Sequence, residues 1–235
     1  NMVDAFECTD GKPWGESPLT VRPDESILYG NDDALKKAER AKMFMNRDRR
    51  LYESVNHSMM ANFVDDGFKD EEVQENESNN KGPTGFSALK YVQPTDVTPG
   101  YSTVSDADIV VLRYAHVLLM IAEAENEAHG APTTALNAIN EVRTRSGQPA
   151  IEAGISQAEL RERIRNEWRI ETCFEGLRYF QLKRWKLMDK RVNGVEDPAY
   201  PGYIKVYKPA FEFFPIPQSE IDKAGGVLKQ DPAYE

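Results

Sequence analysis

The chain has 235 residues, of which 40% are hydrophobic and 29% are charged, so it is long enough to bury one large core or two small ones. Its 29 Lys and Arg and 39 Asp and Glu give a formal net charge of -10, which argues against a nucleic-acid-binding protein, because such a protein needs clustered basic residues. No run of apolar residues is long enough for the sequence to predict a membrane-spanning helix.

The N-terminal region predicts loops, because prolines and turn pairs such as Asp10-Gly11 interrupt it. One short strand is expected from Met2 to Phe6. This region lacks the basic and apolar parts of a signal peptide, and the residues before Cys8 do not fit a lipoprotein cleavage site. We therefore expect the chain to begin within a longer gene product.

A helix is predicted from Asp32 to Phe44, where acids are followed by strong helix formers. Weak alternation from Leu51 to Met60 and a run from Ala88 to Val92 indicate short strands. Between them, residues 65–77 are strongly acidic, which is typical of a solvated loop. Calcium binding by this loop is the alternative, although the spacing of an EF-hand is absent.

The clearest helical signal starts at Tyr114, after the β-branched run Ile109 to Val111, which suits an extended segment. Residues Val117 to Ala122 are apolar on every side, so we expect this helix to be packed between neighbours. Gly130 is the expected end of the helix, since glycine adopts the left-handed conformation of a C-cap.

A second helix is expected to begin after Pro132, capped by Thr133 or Thr134, and to end at Gly147. The unit from Tyr114 to Gly147 has the length of a tetratricopeptide repeat, roughly 34 residues. Only one copy is visible. Because roughly three such units are needed for stability, we expect the rest of the stack outside this chain, or non-repeat structure in its place.

A third helix is predicted from Ser156, which forms a capping box with Glu159, to about Phe174. Gly176 should break it before a short helix from Leu177 to Leu187. Toward the C-terminus, the run FEFFPIP (residues 211–217) predicts an extended segment laid against the core, followed by a helical turn at residues 218–222.

The third helix carries two acids where hydrocarbon is expected, because Glu167 and Glu171 share one side of it with Leu160, Ile164 and Phe174. A buried carboxylate must find a cationic partner or stay protonated. We favour a structural ion-pair network, with these acids paired to nearby arginines. Its expected members are Arg113, Arg143, Glu167, Glu171, Arg178 and Arg184, and Arg145 also lies in an element that could reach the acids.

A catalytic pair is the alternative reading of these two acids. Side chains four residues apart on a helix have Cβ atoms about 5 to 6 Å apart, close to the carboxylate separation of a retaining glycosidase. No metal, cofactor or nucleophile motif accompanies the pair, since HExxH, CxxC, a glycine-rich phosphate loop and GxSxG are all missing.

Aromatic residues in predicted loops are candidates for ligand binding, because flat rings beside amides and acids suit the apolar faces and hydroxyls of sugars. The alternative is that each ring pins its loop to the body of the protein. These residues are Trp14, Tyr29, Phe68, Phe86 and Tyr101.

Several segments together resemble the C-terminal half of the SusD/RagB family. They are, in chain order, MVDAF (2–6), TDGKP (9–13), NRDRR (46–50), LRYAHVLLMIAEAENE (112–127), NEVRTRSG (140–147), the helical stretch 158–186 with FEGLRYFQLKRW (174–185), FPIPQSEID (214–222) and QDPAY (230–234).

The resemblance implies a mostly α fold: a tetratricopeptide-like helix pair within an α-superhelical SusD-like domain, with a loop-rich region and short strands. Residues 1–111 would form the loop-rich, ligand-facing region and residues 112–235 the helical core, while the N-terminal half of the family fold would be absent.

The function that the resemblance implies is non-catalytic capture of oligosaccharide, or in some members peptide, at the surface of the outer membrane. The protein would be anchored through a lipidated cysteine outside this chain and would pass its ligand to a SusC-like TonB-dependent transporter. Trp14 is the first choice for a ligand contact. A helical-repeat adaptor that binds protein, and a glycoside hydrolase using Glu167 and Glu171, remain the alternatives.

Overall fold

The computed structural model describes residues 2–28, 33–57, 86–91, 108–196 and 202–234. The predicted ligand contacts Tyr29, Phe68 and Tyr101 and the acidic run 65–77 lie outside these residues. The chain divides into a first unit, Asn1–Leu177, and a second unit, Arg178–Glu235. The division after residue 111 that the resemblance implies stays a prediction.

The first unit is mostly helical, as predicted. Its helices are α1 (Met2–Ala5), α2 (Glu25–Leu28), α3 (Asp33–Lys42), α4 (Arg49–Ser54), α5 (Tyr114–His129), α6 (Thr133–Arg145) and α7 (Gln157–Glu171). Strands β1 (Val55–His57) and β2 (Phe86–Ala88) pair antiparallel, with Val55 opposite Ala88. No helix in the described part of the chain is long and apolar enough to cross a membrane.

Helices α5 and α6 pack side by side and confirm the predicted tetratricopeptide-like pair, and α7 packs on both. Gly130 ends α5 in the left-handed conformation, with φ of 73°. Ser156 and Glu159 form both hydrogen bonds of the predicted capping box at the start of α7. These three helices bury one core. Its buried members include Leu119, Ala122, Ala135, Ile139, Leu160 and Ile164.

A second apolar cluster joins the N-terminal segments to the end of α7. It contains Val3, Phe6, Met43, Phe44, Leu51, Val55, Ile170 and Cys173. The strand expected from Met2 to Phe6 is wrong, because Val3 and Phe6 have helical spacing and both turn into this cluster. The strand expected from Leu51 is wrong at its start, because the Asp48 side chain caps α4 and holds residues 49–54 in a helix.

The expected N-cap of α6 is wrong. Pro132, not Thr133 or Thr134, is the N-cap of α6, and the Thr134 hydroxyl lies 3.0 Å from a carboxylate oxygen of Glu125. Val117, Met120 and Ile121 of α5 are exposed in the described part of this chain, so the packing of α5 between neighbours on every side stays a prediction. An apolar stripe therefore faces outward from the first unit.

The second unit contains α8 (Arg178–Arg184), α9 (Met188–Val192) and α10 (Gln218–Lys223), with 3-10 turns at Pro209–Glu212 and Pro232–Tyr234. In the run 211–217 the side chains of Phe213 and Phe214 are mostly exposed, and the expected packing of this run against the core stays a prediction. Phe214 meets the Tyr179 ring and the Lys183 ammonium group, whose nitrogen lies 4.7 Å from its ring centre.

Gly11 provides a close contact between the N-terminal loop and the α6–α7 connection. It has φ of +75°, and a Cβ added there would lie 2.8 Å from Pro149 Cγ.

We expect Gly11→Ala to lower the free energy of unfolding by about 1–3 kcal/mol, measured by urea denaturation. Gly154→Ala is the matched control, because Gly154 also has a positive φ but no atom within 4 Å of the added Cβ. Equal losses in the two variants would mean that the contact with Pro149 is unimportant.

Candidate functional site

The two acids of α7 point into the first unit. Glu167 is 1% exposed and Glu171 is 4% exposed. Their position follows from the spacing of the helix, which places them in line with the buried residues Leu160 and Ile164. A carboxylate so removed from water needs strong hydrogen-bond donors, and arginine side chains supply them here.

Glu171 is held by three guanidinium groups. Arg113 Nη1 lies 2.5 Å from its Oε1, Arg50 Nη1 lies 2.8 Å from its Oε2, and Arg145 Nη2 lies 2.7 Å from both oxygens. Burial raises the pKa of this carboxyl, but the hydrogen bonds from Arg145, Arg113 and Arg50 outweigh that effect and lower the pKa to about 2. Glu171 is therefore ionised at neutral pH.

Glu167 shares one of these arginines. Arg50 Nη1 donates to its Oε1 at 2.5 Å, and Arg143 Nη1 donates to its Oε2 at 3.1 Å. Arg143 is 1% exposed and also reaches Glu7 Oε2 at 2.9 Å, so it joins α6 and α7 to the N-terminal segment. Burial raises the pKa of Glu7 even though Arg143 and Arg163 act to lower it.

A third acid, Glu175, extends the cluster beyond the end of α7. It accepts hydrogen bonds from Arg113 and Lys90, and the His116 Nε2 lies 2.7 Å from its Oε2. Burial acts to raise the pKa of Glu175, but the hydrogen bonds from Arg113 and Lys90 outweigh it, so the pKa is lowered. Asp48 completes the cluster by accepting from Arg50 Nη2 at 2.7 Å.

This arrangement argues against acid/base chemistry at Glu167 and Glu171. A general acid needs a raised pKa and a proton to give, whereas Glu171 has a lowered pKa. Both carboxylates are also enclosed and already occupied by guanidinium groups. In the described part of the chain, no group of three or more His, Cys, Asp or Glu could hold a metal ion.

The structure brings together only part of the predicted network. Arg113 and Arg143 contact the two acids. Arg178 and Arg184 lie on α8 in the second unit, where the Arg184 guanidinium lies over the ring of Trp185, and their part in the network stays a prediction.

Sequence reasoning left several members out of the network. They are Glu7, Asp48, Arg50, Lys90, Arg163 and Glu175. Arg145, which the sequence placed within reach of the acids, follows Arg143 in the last turn of α6 and contacts Glu171. Arg50 lies 117 residues before Glu167, and helical periodicity carries no signal across such a distance.

Two of the predicted ligand contacts lie in the described residues, and both pack against the cluster that contains Phe44. Trp14 is partly buried, and the guanidinium carbons of Arg22 and Arg47 lie 5.2 and 5.1 Å from its ring centre. The ring of Phe86 lies 6.0 Å from that of Phe44. Each ring therefore pins its segment to the body of the protein, and a part in ligand binding stays a prediction.

Fold and site together define a mostly helical protein, built on a tetratricopeptide-like pair and held internally by arginine-neutralised carboxylates. The SusD family model matches residues 1–234. The chain therefore belongs to the SusD family.

Individual relatives agree with this assignment. The chain is 30% identical over 154 residues to SusD-like protein P2 of Formosa agariphila. This aligned region covers 62% of this chain and 30% of that protein. The chain is 33% identical over 125 residues to SusD-like protein P25 of the same organism, covering 52% of this chain and 23% of that protein.

Solved structures show the same fold. A SusD-like protein from Bacteroides fragilis superposes with a TM-score of 0.75 at 23% identity, over 98% of this chain and 45% of that one. Surface glycan-binding protein A from Bacteroides thetaiotaomicron superposes with a TM-score of 0.57 at 20% identity, over 92% of this chain and 46% of that one. The chain thus spans less than half the length of these relatives.

Proposed function

We propose that this chain is part of a carbohydrate-binding protein that captures oligosaccharide at the cell surface without cleaving it. The family match over residues 1–234 carries the proposal. The cluster around Glu171 supports it, because internal carboxylates occupied by arginines serve the scaffold and not hydrolysis. One solved relative is described as a SusD-like carbohydrate binding protein, and it superposes on 94% of this chain with a TM-score of 0.64.

The proposal includes the cellular setting that the resemblance implies. The protein is held at the outer membrane by a lipidated cysteine outside this chain and delivers its ligand to a SusC-like TonB-dependent transporter. No cofactor is needed, since capture is a binding reaction.

Among the predicted contacts, we propose Trp14 first. The exposed side chain of Arg22 places its guanidinium carbon 5.2 Å from the centre of the Trp14 ring, so hydrogen-bond donors for sugar hydroxyls lie next to it. Phe86 is the second described candidate. Tyr29, Phe68 and Tyr101 complete the proposed set from the sequence alone.

The binding prediction is tested by affinity electrophoresis of the intact protein in gels that contain soluble starch, xylan, mixed-linkage β-glucan, galactomannan or polygalacturonate. We expect retardation by at least one polysaccharide, and we expect Trp14→Ala to weaken that binding by ~1 to 3 kcal/mol through loss of a ring contact. Because Trp14 also packs on the core, the unfolding midpoint of the Trp14→Ala protein is measured in parallel. Arg22→Met is the matched variant that keeps the ring. Unchanged affinity of a folded Trp14→Ala protein would remove Trp14 from the site.

A second candidate function, a helical-repeat adaptor, is favoured by the outward stripe of α5. Tyr114, Val117, Ile121, Ala124 and Ala128 are all exposed, and their alternating spacing of three and four residues is that of a helix-packing seam. In the adaptor a helix of a protein partner would cover this stripe, whereas in the carbohydrate-binding protein further helices of the same polypeptide would cover it. Recovery of a peptide partner, with no polysaccharide bound, would support the adaptor instead.

A further inference from the structure

Three separate stretches of the chain converge on Glu171 and Glu175. Arg50 lies on α4, just before β1, Lys90 follows β2 by two residues, and Arg113 directly precedes α5. All three side chains donate to this pair of acids. The residues at the end of α7 therefore form a common anchor. They hold the described segments that lie on either side of residues 58–85 and 92–107.

Glu175 is the most enclosed point of this anchor. Its side chain is 1% exposed, and Arg113 donates to both of its oxygens, from Nη2 at 2.7 Å and from Nε at 3.2 Å. Lys90 donates to the same carboxylate and, at 3.0 Å, to the backbone carbonyl oxygen of Glu171. The two cations come from opposite ends of residues 90–113, so Glu175 ties these ends together.

The backbone beside this pairing is strained on both sides. Tyr91, next to Lys90, has φ of 71°, and Phe174, next to Glu175, has φ of 62°. Residues other than glycine adopt this left-handed region at a cost and keep it where surrounding contacts enforce it, commonly at ligand-binding sites. The Lys90–Glu175 ion pair and the strained backbone on both sides of it therefore hold residues 89–91, which follow β2, in one conformation.

We propose that Glu175 is a positioning residue for ligand capture: through Lys90 and Arg113 it fixes the ends of the described segments 86–91 and 108–113, and thereby the position of Phe86, one of the proposed ligand contacts. This inference rests on the proposed function. It assigns to Glu175, Lys90 and Arg113 a role in affinity and not only in stability.

The test compares Lys90→Met, Glu175→Gln and their double variant in the intact protein, with Lys90→Arg as the conservative replacement. Lys42→Met is the matched control, because Lys42 pairs with Glu39 one turn earlier on its own helix. Two quantities are measured well below the unfolding temperature. They are hydrogen exchange of the Leu89 to Tyr91 amides without ligand, and affinity for whichever of the five polysaccharides retards the wild-type protein.

We expect Lys90→Met and Glu175→Gln each to speed this exchange and to weaken binding by about tenfold, in the range of typical coupling between sites. The double variant should lose less affinity than the sum of the two single losses, because both changes remove the Lys90–Glu175 ion pair. Lys90→Arg should recover most of the affinity, and Lys42→Met should leave both quantities unchanged.

Other outcomes overturn the proposal in distinguishable ways. Faster exchange with unchanged affinity would show an anchor without a positioning role. Unchanged exchange would show that Lys90 does not hold the segment. A wild-type protein that binds none of the five polysaccharides would overturn the proposed function, and the positioning role with it.

Discussion

Replacing Glu171 with alanine is expected to lower the free energy of unfolding by about 3 kcal/mol or more. The variant leaves Arg50, Arg113 and Arg145 without the carboxylate that they share. Of these, Arg50 is the most enclosed, with its side chain 10% exposed, so its charge is poorly compensated by water. Urea denaturation at neutral pH measures the loss.

Glu220→Ala is the control for the Glu171 variant. Glu220 pairs with Lys223 on α10, and both side chains are more than half exposed. An exposed pair of this kind contributes less than about 1 kcal/mol. A similarly small loss on replacing Glu171 would mean that its carboxylate is solvated, contrary to its position in the cluster.

The pH dependence of stability is the second large expected effect. The pKa of Glu171 is lowered from 4.5 to about 2 in the folded protein, so its ionised form stabilises the fold. This contribution is fully present above pH 4.5 and is lost as the pH falls from 4.5 toward 2. It amounts to about 3 kcal/mol, since one pKa unit corresponds to about 1.4 kcal/mol.

Glu7 acts in the opposite sense. Its pKa is raised by burial, so its contribution to stability is present at low pH and is lost as the pH rises through the folded pKa. The total pH dependence of the protein therefore mixes both effects, and a variant is needed to isolate Glu171.

The variant that isolates this effect is Glu171→Gln, which keeps the shape of the side chain but cannot ionise. Urea denaturation of the wild type and the variant is compared from pH 7 down to pH 3. We expect the stability difference between them to shrink as the pH falls below 4.5. A difference that stays constant over this range would show that Glu171 does not titrate with a lowered pKa.

Local sequence signals predicted helices α5 and α7 well. The Gly130 end of α5 and the Ser156–Glu159 capping box depend on residues close together in the chain, so the local sequence is enough to predict them. Helical spacing likewise predicted that Glu167 and Glu171 point inward.

Features that depend on partners far away in the sequence could not be predicted from it. The spacing of Val3 and Phe6 gains its meaning only from the cluster that they join, and a one-turn helix is too short to show a period. Arg50 meets acids 117 and 121 residues further along the chain. Only the fold specifies which of the many arginines reaches which carboxylate.

The aromatic candidates show the same limit. A ring in a predicted loop is equally consistent with stacking on a ligand and with pinning the loop. Only the position of its neighbours separates these roles, and for Trp14 they include both the apolar cluster and two guanidinium groups.

The most direct test of the account is to incubate the intact protein with the polysaccharide that it binds best and to analyse the carbohydrate by size-exclusion chromatography. Glu167→Gln serves as the comparison, because it retains the hydrogen-bonding shape of Glu167 but removes its charge. We predict binding with the polysaccharide recovered at its original length. Shortened products that form with the wild type and disappear with Glu167→Gln would contradict the account.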